Sequence, residues 1–283
     1  MCRFLVYSGE PVVLHDLLYR PAHSIVYQSR GSREQEEALN PDGFGVGWYV
    51  HDIAPLPAVF RSLMPAWSST NLQSLSRLTR SSQVFAHVRS ASDGIEVSDA
   101  NCHPFNAGPF LWMHNGTVRG YTELREWSRH YLSAGVYSQI RGTTDSEIVF
   151  GLFLDLWDQA GYPSVPDGLL DVFRKTLIFL GDILRDLEVK KGSTLNFALT
   201  DGSSVLVSRH ATLDAKPNSL YFARGIRFVT EGDRSRIASV PDASSAIVAS
   251  ERLTDDSAWE ECPPGKIIVI RPGGRVSVED IGS

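Results

Sequence analysis

Two rhythms of apolar residues run along the chain. Continuous apolar runs closed by turn residues predict buried strands at Phe4 to Tyr7, Val84 to Arg89 and Phe110 to Met113. Spacing of three and four predicts helices at Val12 to Tyr19, Asn71 to Leu78, Tyr121 to Leu132, Asp145 to Trp157 and Leu169 to Leu187. Between these, Ser8-Gly9-Glu10-Pro11 reads as the end of the first strand, and Arg20 to Glu37 as one long loop. Gly43, Gly45 and Gly47 stand at alternate positions before Trp48-Tyr49-Val50. They predict a loop running into a strand that another part of the chain can approach closely, with Val59 to Leu63 as its hairpin partner. The last third is β-rich, with runs at Leu195–Thr200, Ser204–Ser208, Ser219–Ala223, Ala246–Ala249, Lys266–Ile270 and Arg275–Val278. Asp201-Gly202 marks a hairpin between the first two. Strands, then helices, then strands, without repeat or low-complexity linker, predict layered α/β packing in one domain.

Composition narrows the class. The chain has 283 residues, 42% hydrophobic and 21% charged, near globular averages. A net charge of −6 and no Lys/Arg cluster argue against nucleic acid as a partner. No apolar run approaches the roughly 18 residues of a membrane span, and no basic region followed by an apolar run marks a signal peptide, so neither a membrane nor export is expected. Three cysteines, Cys2, Cys102 and Cys262, are odd in number, far apart and without CxxC spacing. They predict no disulfide framework and no structural zinc site, and they favour the reducing cytoplasm; no metal and no cofactor is expected.

Chemistry begins at Met1-Cys2-Arg3. Removal of Met1, which a small second residue permits, would leave one residue carrying both a thiol and a free α-amine. Their ordinary pKa values are about 8.5 and about 7.7–8.0. A nucleophile activated by an adjacent amine is a known catalytic arrangement; the alternative is a second residue of an ordinary buried strand. Arg89, delivered to the end of a strand, suits a carboxylate through its planar fork, or else a structural ion pair. Cys102-His103 invites a dyad, but neighbours on an extended chain point apart, so Cys102 reads as structural and His103 as a loop residue lining a pocket. Asn115-Gly116 after an apolar strand is either a turn or an oxyanion hole made of the Asn115 amide and the Gly116 N–H. Thr144 and Glu147 fit a capping box. Asp145 complements the helix dipole, or binds the ammonium group of an amino-acid substrate.

The ordered set Met-Cys-Arg, Asp-Gly-Phe-Gly, His-Val-Arg-Ser-Ala-Ser, Cys-His-Pro-Phe, His-Asn-Gly and Thr-Asp-Ser-Glu resembles the class II glutamine amidotransferases. These are N-terminal-nucleophile hydrolases, and the resemblance covers at least Cys2 to about Phe150. It implies an α+β fold, the four-layer αββα sandwich, here as one domain over residues 1–283. It also implies Cys2 as nucleophile, Asn115 and Gly116 as oxyanion hole, Arg89 on the substrate α-carboxylate, Ser92 beside it and Asp145 on the α-amino group. Ser90 stands where synthase members often carry Trp. Arg3-Phe4-Leu5, Tyr19-Arg20-Pro21-Ala22-His23-Ser24 and Ala249-Ser250-Glu251-Arg252-Leu253-Thr254 look like stand-alone members, of the yeast-type glutathione-degrading and ergothioneine-pathway kinds. The implied reaction is hydrolysis of the γ-glutamyl amide of a small γ-glutamyl compound through a thioester on Cys2. The alternative is a glutaminase subunit passing ammonia to a synthase. A partner subunit, peptidase-like or synthase, belongs to that expectation, and the Arg20–Ser29 segment, His103 and Trp67 are candidates for the leaving-amine pocket.

Overall fold

The computed structural model describes residues 2–34, 39–90, 97–240 and 243–282. In chain order, β1 (Arg3–Val13) leads into α1 (Leu14–Leu18) and α2 (Ile25–Gln28). The hairpin β2 (Phe44–Trp48) and β3 (Ala58–Ser62) follows, then α3 (Thr70–Leu78), β4 (Arg80–Val88), β5 (Phe105–Ala107) and β6 (Phe110–Thr117). The helical middle comprises α4 (Tyr121–Tyr131), α5 (Ala134–Tyr137), α6 (Asp145–Gln159) and α7 (Asp167–Asp186). The remainder is strand: β7 (Thr194–Thr200), β8 (Val205–Arg209), β9 (Tyr221–Arg224), β10 (Ile226–Glu231), β11 (Arg234–Ser239), β12 (Ala246–Ala249), β13 (Glu260–Glu261), β14 (Lys266–Arg271) and β15 (Arg275–Asp280).

These strands form a seven-stranded sheet in the order β13-β9-β12-β1-β4-β2-β3, a six-stranded sheet in the order β15-β14-β8-β7-β6-β5, and the separate hairpin β10-β11. Three apolar clusters define the layers. Phe4, Val6, Phe85, Leu111, Met113, Ala198 and Val207 fill the space between the two sheets. Leu5, Tyr7, Val84, Ala86 and Val88 turn the other way, onto α1, α2 and α3. Trp112, Phe197 and Leu199 face the α6–α7 layer, where Trp112 meets the rings of Phe150, Phe173 and Phe197 at 4.9–5.8 Å. Helices, sheet, sheet, helices: the fold is the αββα sandwich.

Several elements differ from the sequence expectation. The first strand does not stop at Ser8-Gly9. It runs to Val13 through an irregularity between Ser8 and Val12, where the backbone of Gly9 lies against Ser245, leaving no room for a Cβ. The 20–37 segment is not a single loop, since Ser24 caps α2 by accepting from Tyr27 N–H. Residues 35–38 lie outside the described residues. His114-Asn115-Gly116 is not a turn either; it is the far end of β6, paired through Thr117 with β7. The β10–β11 hairpin, absent from the sequence reading, is held by six cross-strand pairs around Gly232.

The alternate glycines of β2 act as anticipated. A Cβ on Gly47 would sit 2.7 Å from Leu111 Cδ1, and one on Gly45 would sit 2.1 Å from the carbonyl oxygen of His103. Backbone cannot yield as a side-chain tip can, so Gly45→Ala is expected to destabilise the protein by about 1–3 kcal/mol. A lower denaturation midpoint at unchanged m-value would show it; an unchanged midpoint would mean that the two layers separate freely here.

Candidate active site

Side chains alternate between faces of a strand, and this places the predicted residues. Cys2 continues the inward series of Phe4 and Val6, Arg89 that of Phe85 and His87, and Asn115 that of Leu111 and Met113. Arg3 pairs with Val88 across β1 and β4, so Cys2 and Arg89 share one end of the inter-sheet space. Cys2 is half-buried, its Sγ 3.5 Å from the Ser90 carbonyl oxygen. Burial pushes its thiol up from the ordinary value, and the Arg89 and Arg3 charges oppose that shift.

Asn115 is fully buried and reaches Cys2 from the opposite sheet. With its amide turned so that both ends meet complementary partners, Nδ2 donates to the Cys2 carbonyl at 2.8 Å. Oδ1 then accepts from Ser250 Oγ at 3.0 Å and from Arg3 Nη1 at 3.2 Å. The reverse orientation sets Oδ1 against the Cys2 carbonyl oxygen and Nδ2 against Arg3 Nη1, keeping only the Ser250 Oγ contact at 3.0 Å and a long one from Asn218 Nδ2 at 3.4 Å. An amide nitrogen carries two donors, so the second N–H of Asn115 is left for a further acceptor. Gly116 faces Leu195 in the β6–β7 ladder, and the Leu195 N–H is spent on His210, on the β8 side. The Gly116–Leu195 pair is therefore a non-hydrogen-bonded one, and the Gly116 N–H points away from β7. The Asn115 amide thus lies against the Cys2 backbone, and the next residue's N–H faces away from β7. The glycine itself is required by packing, since a Cβ at Gly116 would sit 2.0 Å from the Thr194 carbonyl oxygen.

Arg89 is 4% exposed and its backbone is locked to the glycine loop, Arg89 N–H to Gly43 O at 2.9 Å and Asp42 N–H to Arg89 O at 3.0 Å. Asp145 opens α6 beside the end of β6. Its carboxylate accepts from Val118 N–H at 2.6 Å and Ser146 N–H at 2.7 Å. Thr144 Oγ1 caps the helix at Glu147 N–H, while the Glu147 carboxylate reaches back to Arg141 and Gly142 N–H, so the box closes two to three residues before the cap rather than on it.

The family model for class-II glutamine amidotransferases matches residues 19–281. The chain belongs to the class II glutamine amidotransferases. It is 38% identical over 293 residues to the probable glutamine amidotransferase DUG3 of Saccharomyces cerevisiae, covering 96% of this chain and 82% of that protein. It is 27% identical to the gamma-glutamyl-hercynylcysteine sulfoxide hydrolase of Mycolicibacterium smegmatis, over 96% of each. Among solved structures, a glutamine aminotransferase class-II domain protein from Silicibacter pomeroyi superposes with a TM-score of 0.67 at 23% identity, covering 99% of this chain and all of that one.

In this amidotransferase the remaining predicted residues fare differently. Ser92 and Met1 lie outside the described residues. His103 is 5% exposed, its ring 4.3 Å from His87 and 4.5 Å from Phe105, and neither nitrogen has a hydrogen-bond partner among the described residues. Burial holds its pKa well below the ordinary histidine value. The ring is packed against His87 and Phe105, not presented at a pocket mouth. Trp67, like Trp48 and Phe60, packs against the apolar cluster on the helix side of the seven-stranded sheet, the face opposite Cys2. Cys102 is fully buried and behaves as the structural residue expected, its thiol pushed up to about 11, chiefly by burial.

What residue-by-residue reasoning missed is the polar ring behind the thiol. Arg3 and Glu251, each 1% exposed, form a salt bridge at 2.8 Å. Glu251 also accepts from His23 Nε2 at 2.6 Å, from Ser32 Oγ, and from the N–H groups of Arg33 and Glu34. Burial alone would raise the Glu251 carboxyl, but these donors and the Arg3 charge together hold it well below the carboxylate range. Ser250 Oγ accepts from Phe4 N–H, and the Ser250 carbonyl oxygen accepts from Ser219 Oγ. A charged residue inside an otherwise apolar opening strand was the available signal.

Proposed function

We propose that this chain is a cysteine-dependent hydrolase that cleaves the γ-glutamyl amide bond of a small γ-glutamyl compound and releases glutamate. The observation that carries the reading is the convergence of Cys2, Asn115 and Arg89 on one end of the space between the sheets. The mycobacterial relative named as a gamma-glutamyl-hercynylcysteine sulfoxide hydrolase supports it. Residues 1–283 are taken as one domain, working in the cytoplasm, where the three free cysteines stay reduced.

The reaction needs Met1 removed. The Cys2 α-amine then takes the thiol proton as Sγ attacks the γ-carbonyl carbon. Asn115 Nδ2 and Gly116 N–H hold the resulting oxyanion. Collapse breaks the C–N bond, and the leaving amine takes the proton back from the α-ammonium, leaving a γ-glutamyl thioester. Water attacks the thioester, its proton passing to the amine, and the thiol is regenerated as glutamate leaves. Arg89 pairs with the substrate α-carboxylate, assisted by Ser92, and Asp145 receives the α-ammonium, so recognition falls on the glutamyl end.

Substrate preference tests the reading. Glutamate release should be faster from γ-glutamyl peptides of the glutathione type than from glutamine. Preference for glutamine, with a strong rise on adding a partner protein, would instead favour an ammonia-donating subunit, the reading suggested by the name of the yeast relative. Loss of a charge-assisted contact is worth about 1.5–3 kcal/mol, so Arg89→Ala should raise KM roughly 10- to 100-fold with a smaller change in kcat. An unchanged KM in steady-state kinetics would remove Arg89 from the substrate.

A further inference from the structure

We propose that Arg3, held in place by the buried carboxylate of Glu251, is a positioning residue that fixes which end of the Asn115 amide faces the nucleophile. The inference deepens the proposed reaction and rests on Asn115 as an oxyanion donor.

An amide side chain can fill its site in two orientations of nearly equal shape, and only one of them places a donor beside Cys2. Ser250 Oγ touches Asn115 but discriminates weakly, because a hydroxyl donates or accepts as required. It does accept from Phe4 N–H at 3.0 Å, which leaves its own O–H free to donate. A guanidinium has no acceptor at all. With Arg3 Nη1 at 3.2 Å from one end of the amide, that end must be the oxygen. The Cys2 carbonyl, an obligate acceptor 2.8 Å from the other end, calls for nitrogen there, and this short contact outweighs the 3.4 Å approach of Asn218 Nδ2 to the same end. The same Nη1 donates to the Cys2 carbonyl at 3.1 Å, so one cation fixes both the nucleophile's own peptide and the donor across from it. A positive charge drawing on Oδ1 also polarises the amide, making its N–H groups better donors toward an oxyanion.

Arg3 can stand there only because it is paired. A guanidinium at 1% exposure needs a counter-charge, and Glu251 supplies it at Nε, leaving Nη1 for Cys2 and Asn115. Glu251 is in turn fixed by His23, Ser32 and two backbone N–H groups. The order of dependence runs from Glu251 to Arg3 to Asn115 to the reacting oxygen. Neither Arg3 nor Glu251 touches substrate.

The test begins with glutamate release by the mature wild-type enzyme. Its absence would overturn the reaction and with it this role. If release occurs, Arg3→Ala should lower kcat by about 10- to 100-fold, in keeping with a weakened oxyanion donor, with KM within twofold of wild type. Millimolar guanidinium should then restore activity severalfold, and neutral urea at the same concentration should not. Glu251→Gln, which keeps the shape and loses the charge, should show the same kcat-only loss to a smaller extent. Wild-type kcat in Arg3→Ala, a loss confined to KM, or equal rescue by urea and guanidinium would each overturn the positioning role while leaving the reaction intact. Should the variants fail to fold, neutron diffraction from deuterium-exchanged wild-type crystals decides the matter. Deuterons on the Asn115 atom facing the Cys2 carbonyl support the inference, and deuterons on the atom facing Arg3 refute it.

Discussion

Replacing Cys2 by alanine in the mature protein is expected to lower glutamate release at least about 10,000-fold while leaving the melting temperature nearly unchanged. The thiol is half-buried, and its one hydrogen bond among the described residues is the weak contact to Ser90 O at 3.5 Å, so little packing is lost with it. The loss in rate is large because the reaction is divided by a covalent thioester intermediate that needs the Cys2 thiol. Cys102 and Cys262 are buried, with thiols pushed up to about 11 and about 12. Quenched wild-type enzyme should carry the mass of one γ-glutamyl group on the peptide that begins at Cys2, and the alanine variant none. An alanine variant within tenfold of wild type would eliminate the thioester route.

Asn115→Ala comes second, at about 100- to 1,000-fold in kcat, the usual cost of deleting one oxyanion donor from a preorganised site. Because the oxyanion exists only in the transition state and the tetrahedral intermediate, KM should hardly change. Asn115 also has structural contacts, to Ser250 Oγ and the Cys2 carbonyl. Its removal should therefore cost about 1–3 kcal/mol of stability through unsatisfied buried partners. Measuring kcat well below the melting temperature of the variant separates the two effects. A variant that loses stability but keeps its kcat would reduce Asn115 to a structural residue.

These two residues differ in how far the chain alone exposed them. Cys2 is legible because position is its chemistry: a cysteine second from the start can become an N-terminal residue wherever it folds. Asn115-Gly116 was ambiguous, because Asn-Gly is the commonest sort of turn and nothing local says that the strand continues. The pairing of His114 through Thr117 with β7 settles that, and pairing is a long-range event. His103 misled in the opposite direction. Its place beside a cysteine in a polar loop suggested a pocket, whereas the glycine backbone of β2 lets the 102–104 segment sink between the layers, which buries the ring against His87 and Phe105.

The layers themselves follow from periodicity. Continuous apolar runs and three-to-four apolar spacing located most strands and all the long helices, since apolar surface must be buried wherever it lies in the fold. The alternation of side chains along a strand puts Cys2, Arg89 and Asn115 on the inward side once those strands are known. Family membership, too, resides in the sequence, as ordered short motifs.

What only the tertiary structure decided is the electrostatics behind the thiol. Arg3 and Glu251 stand 248 positions apart, and neither has a local reason to be charged. Their meaning appears when β12 lies beside β1 and carries Ser250 and Glu251 to the start of the chain. A strand's apolar pattern is dictated by the water it must avoid, which each residue meets individually. The partner of a buried charge is dictated by which distant segment arrives next to it, and that is a property of the assembled sheets.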